Sequence, residues 1–424
     1  MLPSVTENPI YRDDPLLRTL AYTYGTPFYV FDEALIRAKC RALLADVTYR
    51  PFNPRYALKA LTLRGVLEVI KDEGYWADAS SVNEVKRALR AGFTKDQVYY
   101  TGEGGSDADY RWLVDQGILI NCTSLDQIRR FARVGGTQCS IRINPGEGHG
   151  ESDKTNTGGP DSKHGIYFDQ IGEVQDLVTR LGVRIVGLHS HIGSGGNDLR
   201  EWLRVSEPTF GFAAAFPDIE TLNLGGGIPV NYGEANIHAM SQAEWGAALS
   251  ARMARFAEGR ARPIALQLEP GRVLVAAAGL LVAEVEAVKR TAETHGQAGR
   301  SYVVVNTGLN HNPRPALYGS YHPMRVVPQT GQTDQTAEHV IAGNLCESGD
   351  ILTFAKDGRI AERAIGEAAE GDLLVIAGSG AYTQSMKSEY NSMNTPPSVL
   401  VGADGVHRLI ERRGTFEDTV AREV

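Results

Sequence analysis

The stretch Arg55-Tyr56-Ala57-Leu58-Lys59-Ala60-Leu61 (RYALKAL) reads as a buried strand interrupted by a single lysine. An unpaired ammonium taken out of water costs several kcal/mol or gives up its proton, at roughly 1 kcal/mol for each unit its pKa falls. Lys59 could pack its stem on apolar neighbours and hold its head in water. It could instead be kept neutral enough to react with a carbonyl.

From this stretch onward, short apolar or β-branched runs alternate with longer amphipathic segments. Eight such runs read as strands: RYALKA (55–60), YWADAS (75–80), QVYYTG (97–102), ILINCTS (118–124), QCSIRINP (138–145), VRIVGLHSHIG (183–193), TLNLGGG (221–227) and IALQLEPG (264–271). Between them GVLEVIKDEG, VNEVKRALRAG, DYRWLVDQG and SLDQIRRFARVG carry apolar residues three and four apart, and each closes on a glycine, as helix C-termini do. Eight strand–helix units with continuous apolar strands specify an α/β (β/α)8 barrel of the TIM type.

The fifth unit carries a long insert, GEGHGESDKTNTGGPDSKHG (146–165), a length that in a compact domain points to function or disorder. After about residue 280 the texture turns strand-like, in LVAEVEAVKR, SYVVVNTG, EHVIAGNLCESGDILTF and GDLLVIAGSGAYT. The early TPFYVFD (26–32) fits the same pattern. The expected organisation is a barrel over 33–280 and a discontinuous β-rich domain, a barrel or sandwich, formed by 1–32 and 281–424.

Bulk properties narrow the function. Of 424 residues 42% are hydrophobic and 22% charged, as in an ordinary globular enzyme. The net charge of -8, with no basic run, argues against nucleic acid as a partner. The apolar run Val273–Ala283 is too short for a membrane span, which needs about 20 residues. The first residues lack a secretory pattern, and the four cysteines (Cys40, Cys122, Cys139, Cys346) have no CxxC spacing. The expectation is a cytoplasmic enzyme with free thiols, no bound metal and a small-molecule substrate.

In a barrel of this kind the chemistry gathers at the C-terminal ends of the strands. Lys59, Asp78, His191, the glycines Gly225, Gly226 and Gly227, and Glu269 all fall there. Each has a bland reading as a strand exit, a satisfied core histidine or an ion pair, yet all five features share one rim. Successive glycines let backbone N–H groups converge on an anion; Ser194, flanked by Gly193 and Gly195, and Gly271-Arg272 would add to such a phosphate site. A flat imidazole can stack on an aromatic ring, and a buried carboxylate can hold a proton on a ring nitrogen. Lysine, phosphate cradle, stacker and carboxylate together meet the requirements of pyridoxal 5'-phosphate, PLP.

The motifs YALKA, KTNTGGPDSKHGI, HIGSG, NLGGG, LEPGR, RPALYGSYH, CESGD and SGAYTQSM, in this order, resemble those of the diaminopimelate decarboxylases, in the alanine-racemase-like class of PLP enzymes. The resemblance implies that Lys59 is the Schiff-base lysine, that Asp78 and His191 line the cofactor and that Glu269 faces the pyridine nitrogen. It implies further that Ser194, Gly225, Gly226, Gly227 and Tyr382 hold the phosphate. Cys346 is similar to the residue that reprotonates the substrate carbon; its bland reading is a small buried hydrophobe. Arg272, Arg314 and Tyr318 match a clamp for a distal carboxylate, Glu347 matches the partner of a distal ammonium, and Tyr382 also borders the substrate. The implied assembly is a homodimer in which Cys346 and Glu347 cross to the other subunit's site.

The chain also departs from that family. Where the relatives commonly carry Asp-Ala-Gly and then Asn-Asp ahead of Arg-Pro, this sequence has Asn306-Thr307-Gly308 and Asn310-His311-Asn312-Pro313. Leu61 stands where an Asn usually follows the lysine motif. The expected reaction is decarboxylation of meso-2,6-diaminopimelate to L-lysine. A paralogous decarboxylase of another D-configured or conjugated amino acid is the alternative, with a racemase, a PLP-holding protein without turnover and a sugar-phosphate barrel enzyme behind it.

Overall fold

Each of the eight apolar runs contains a strand: Arg55–Ala57, Trp76–Ala79, Val98–Tyr100, Leu119–Cys122, Gln138–Asn144, Arg184–His189, Thr221–Asn223 and Ala265–Gln267. The computed structural model that shows them describes residues 4–148, 150, 155–194, 198–233, 240–296, 298–330 and 335–424. Consecutive strands pair in parallel. The first and last meet through Arg55 N–H to Leu268 O (2.8 Å) and Ala57 N–H to Pro270 O (3.0 Å), which closes the ring.

The four helices that follow the first four barrel strands, Arg64–Asp72, Val82–Arg90, Asp107–Asp115 and Leu125–Arg133, all stop by one device. Gly74, Gly92, Gly117 and Gly135 adopt φ between +69° and +94°, a region that costs other residues about 1–2 kcal/mol. Each sits two residues past the last helical residue, and two backbone bonds reach back across it: at Gly74, Tyr75 N–H meets Ile70 O and Gly74 N–H meets Lys71 O. The turn then feeds the next strand directly. Serines 81, 106 and 124 start the second, third and fourth helices by accepting N–H bonds on their side chains.

Two expectations change in detail. The run RYALKA is a strand only to Ala57; Leu58–Ala60 is a 3-10 turn, and it leaves Lys59 exposed between buried Leu58 and Ala60. Lys59 is thus an exposed residue, and the cost of taking an unpaired ammonium fully out of water does not arise. Similarly, His191, the glycines and Glu269 lie just past the last strand residues, in the loops of the rim.

The described part of the insert folds back on strand five, where Ile166–Tyr167 pairs in parallel with Ile143 and Asn144. The Asn144 side chain fixes it, donating to Gly159 O (3.0 Å) and accepting from the N–H groups of Gly146 and Gly159.

The chain divides into two compact units, one built from 37–230 and 236–274, the other from 3–36, 231–235 and 275–424. The barrel is the first. The second is a mixed sheet in which Phe28–Asp32 lies between Gly279–Arg290, to which it is antiparallel, and Ser398–Val401, to which it is parallel. Ser301–Val305, Thr336–Ala342 and Arg363–Gly366 extend this sheet on one side and His407–Glu411 on the other, with Met324–Val327 and Leu373–Ile376 joined to Gly279–Arg290. Among the described residues no helix is long and apolar enough to cross a membrane.

Candidate active site

The barrel interior below the rim is polar, and its buried arginine is held by stacking and a hydrogen bond. Buried Arg55 lies over the rings of Trp76 and Tyr99, 4.8 and 4.6 Å from their centroids, and donates to Gln267 Oε1 at 3.1 Å. Such stacking suits a guanidinium stripped of water.

Glu269, 6% exposed, is held above this layer from two sides. Asn223 Nδ2 donates to Oε1 at 2.8 Å, and His189 Nε2 lies 3.2 Å from Oε2. Burial alone would raise the Glu269 pKa; His189, with Lys59 and His191, outweighs it and keeps the carboxyl below its usual range. Burial pushes the His189 pKa down, so the pair settles as carboxylate and neutral imidazole. Asp78 behaves oppositely. Burial, reinforced by the charge of Glu269 and only partly offset by Lys59, raises its pKa well above the ordinary value.

His191 is fixed by the glycine loop: its Nδ1 accepts the Gly226 N–H at 3.1 Å. Burial, then the charges of Lys59 and Arg142, hold the ring neutral by pushing its pKa well down. The Gly225 N–H is likewise taken, by Asn223 Oδ1 at 2.9 Å. Two of the three glycine N–H groups expected to converge on an anion therefore serve the loop itself. What the glycines provide is room. A Cβ on Gly225 would come within 2.7 Å of His191, one on Gly226 would strike Glu269 O, and one on Gly227 would strike Gly193 O. Arg272, at the start of a short helix, donates from Nη2 to Ser194 Oγ at 3.5 Å. Gly271 accepts from Leu274 N–H at that helix start, and Gly195 lies outside the described residues.

The remaining candidates belong to the second unit. Arg314, 3% exposed, donates to Ser320 Oγ at 3.0 Å and places its guanidinium over the rings of Tyr318 and Tyr382, 5.5 and 5.8 Å from their centroids. Tyr382 holds a left-handed backbone, φ +56°. Cys346 is exposed whereas Cys40, Cys122 and Cys139 are buried, which removes the small-buried-hydrophobe reading. Its N–H donates to Asn391 Oδ1 at 2.9 Å. Exposed Glu347 accepts from Gly349 N–H (3.0 Å) and Tyr390 OH (3.3 Å). Asp350 organises this loop from beneath, accepting from Leu309 and Leu345 N–H at 2.6 and 2.9 Å.

Sequence reasoning missed His189, Asn121 and Asn223. His189 stands two residues before His191, the spacing that repeats a strand face, and Asn223 two before Gly225, the reach of an Asx turn; both signals lay in motifs already quoted.

The barrel residues fit PLP. Lys59 offers an accessible amine, Glu269 an ionised partner for a ring nitrogen, and the glycine loop a cradle that any Cβ would fill. Asp78 Oδ1 is a buried polar atom without a hydrogen-bond partner, as expected of a group reserved for a ligand.

Residues 33–276 match the family model described as the pyridoxal-dependent decarboxylase, pyridoxal binding domain. The diaminopimelate decarboxylase of Streptomyces coelicolor is 38% identical, over 100% of this chain and 95% of its own. A crystal structure of a diaminopimelate decarboxylase superimposes with a TM-score of 0.90 at 34% identity, covering 99% of both chains. That of Helicobacter pylori, complexed with L-lysine, does so with a TM-score of 0.84 at 26% identity, covering 96% of this chain and 98% of its own. The fold, the cofactor pocket and the near full-length identity agree: the chain belongs to the diaminopimelate decarboxylase family of PLP-dependent carboxy-lyases.

Proposed function

We propose that the protein releases one carboxyl group of meso-2,6-diaminopimelate as CO2 and leaves L-lysine. The observation that carries this reading is Glu269, a buried carboxylate that accepts from Asn223 Nδ2 on one oxygen and has His189 Nε2 3.2 Å from the other. An anion there favours a proton on the cofactor's ring nitrogen and so strengthens the electron sink that decarboxylation needs. Racemases of the same class set an arginine in that place. The names of the relatives, and the lysine held by one of the solved structures, support the substrate and the product.

Bound PLP supplies a conjugated ring that takes up the electron pair left by the departing carboxylate. The chain supplies the rest. Lys59 would hold the cofactor through its amine. Ser194, Arg272, Gly271, Gly225–Gly227 and Tyr382 bind the phosphate. Neutral His191, locked by Gly226, presents a flat face, and Asp78, whose pKa burial raises well above the ordinary value, lines the cofactor. Arg272, Arg314 and Tyr318 take the distal carboxylate and Glu347 the distal ammonium. Cys346 returns a proton to the carbon that lost CO2.

The same reading makes the protein a cytoplasmic homodimer, in which the partner's Cys346 and Glu347 complete each site. Their exposure in a single chain supports it. The departures near Arg314 leave the substrate as the point to test. Purified protein offered meso-diaminopimelate, ornithine, arginine and lysine should release CO2 from the first alone and form lysine. Release only from another amino acid would transfer the assignment to a paralogous decarboxylase, and release from none would overturn decarboxylation.

A further inference from the structure

The carboxylate of Glu269 is reached by a chain of side chains from four strand ends. Asn121 lies on Leu119–Cys122, His189 ends Arg184–His189, Asn223 ends Thr221–Asn223, and Glu269 follows Ala265–Gln267. Asn121 Nδ2 lies 2.8 Å from His189 Nδ1 and 3.2 Å from Thr101 Oγ1. His189 Nε2 then lies 3.2 Å from Glu269 Oε2. Asn121 and His189 are 0% and 1% exposed, so no water competes for these contacts.

We propose that His189 is the positioning residue for Glu269, and that Asn121 sets its tautomer by donating to Nδ1 and so leaving the ring proton on Nε2. A neutral imidazole has one N–H and one lone pair. With the amide nitrogen of Asn121 on Nδ1, that lone pair is used there and the proton is left on Nε2, the nitrogen 3.2 Å from Oε2. Reversing the amide would require a proton on Nδ1 and would turn the Nε2 lone pair toward Oε2, which is repulsive for a neutral ring. The other oxygen takes its donor from Asn223, whose Oδ1 accepts the Gly225 N–H. The carboxylate thus has an uncharged N–H group beside each oxygen, hydrogen-bonded on the Asn223 side and 3.2 Å away on the His189 side, and keeps its full charge for whatever lies in front of it. The charged and titratable groups acting on it are Lys59, His191, Arg55, Arg142 and Asp78. None of these is required to supply the Oε2 hydrogen bond.

This assignment rests on the reading that Glu269 faces the ring nitrogen of PLP. The test uses the holoenzyme. His189→Leu and His189→Asn, the second polar but too short to reach Oε2, should keep PLP yet lower kcat by about 10- to 100-fold, the scale of losing a group that orients a functional ligand. KM should change less than about 3-fold, and the visible absorption of the bound cofactor should shift. His189→Gln, whose amide reaches the same oxygen, should restore most of kcat and the wild-type spectrum. Asn121→Leu should give a smaller loss of the same kind. Wild-type kcat and spectrum in His189→Asn would overturn the proposal, as would a His189→Gln variant no better than Asn. Failure of the underlying reading looks different: Glu269→Gln would then leave kcat intact, or the wild type would lack a borohydride-bleached band.

Discussion

Residue by residue, the two units manage charge in opposite ways. The barrel moves the pKa values of two buried carboxyls apart: His189, with Lys59 and His191, holds Glu269 below its usual range, while burial and the charge of Glu269 raise Asp78 well above it. Near Arg314 the chain removes charge. His311, 1% exposed, is closed into a neutral cluster by Thr307 Oγ1 on Nδ1 (3.0 Å) and Asn310 Nδ2 on Nε2 (3.1 Å). Burial, with the cations Lys387 and Arg413, pushes its pKa down from 6.5 to about 3. The unfolded chain therefore binds a proton between those values that the native state refuses. Stability due to His311 is complete above pH 6.5 and drains as the pH falls toward about 3, with a loss of roughly a few kcal/mol. Urea midpoints measured across this range should fall more steeply for the wild type than for His311→Gln. Parallel slopes would show that His311 is protonated in the native state.

Among the elements, glycine has two distinct uses, and they make separable predictions. Gly74 has φ +87° and open space around it, so Gly74→Ala meets only backbone strain. It should cost about 1 kcal/mol, lower the melting temperature by a few degrees and leave activity unchanged. Gly226 has no left-handed φ, but its added Cβ would collide with the backbone oxygen of Glu269. Gly226→Ala should therefore fold and lose cofactor retention, read as a reduced PLP content after gel filtration. Equal effects of the two changes on stability and on PLP content would refute this division. The helix-ending glycines and the eight apolar strands were legible in the sequence because period and cap chemistry are local. The end of the first strand was not: Leu58-Lys59-Ala60 has the composition of a strand, and only the bond from Leu61 N–H to Leu58 O makes it a turn. The Gly225 and Gly226 N–H groups were misread for a related reason. Their partners, Asn223 and His191, are ordinary residues whose role depends on where three loops meet.

For the molecule as a whole, the repeated strand–helix units made the barrel readable, whereas the second unit depends on pairings that no local pattern announces. Phe28–Asp32 pairs with strands that begin at Gly279 and Ser398, and its own alternation does not choose those partners. Assembly is a further step of the same kind, because it needs a second chain. Cys346 and Glu347 are exposed side chains of a loop braced by Asp350, Asn391 and Tyr390, and that bracing uses the Cys346 N–H and not its thiol. If the loop serves a partner, a site combines Lys59 of one subunit with Cys346 of the other. Lys59→Ala and Cys346→Ala proteins would each be inactive alone. Mixed dimers of the two would contain one site with both residues intact and one with neither. Random exchange makes about half of the dimers mixed, so co-expression should restore about a quarter of wild-type turnover per subunit. A site built within one chain predicts no recovery in the mixture, because every barrel would then lack one of the two residues, and that result would confine the whole reaction to the single subunit.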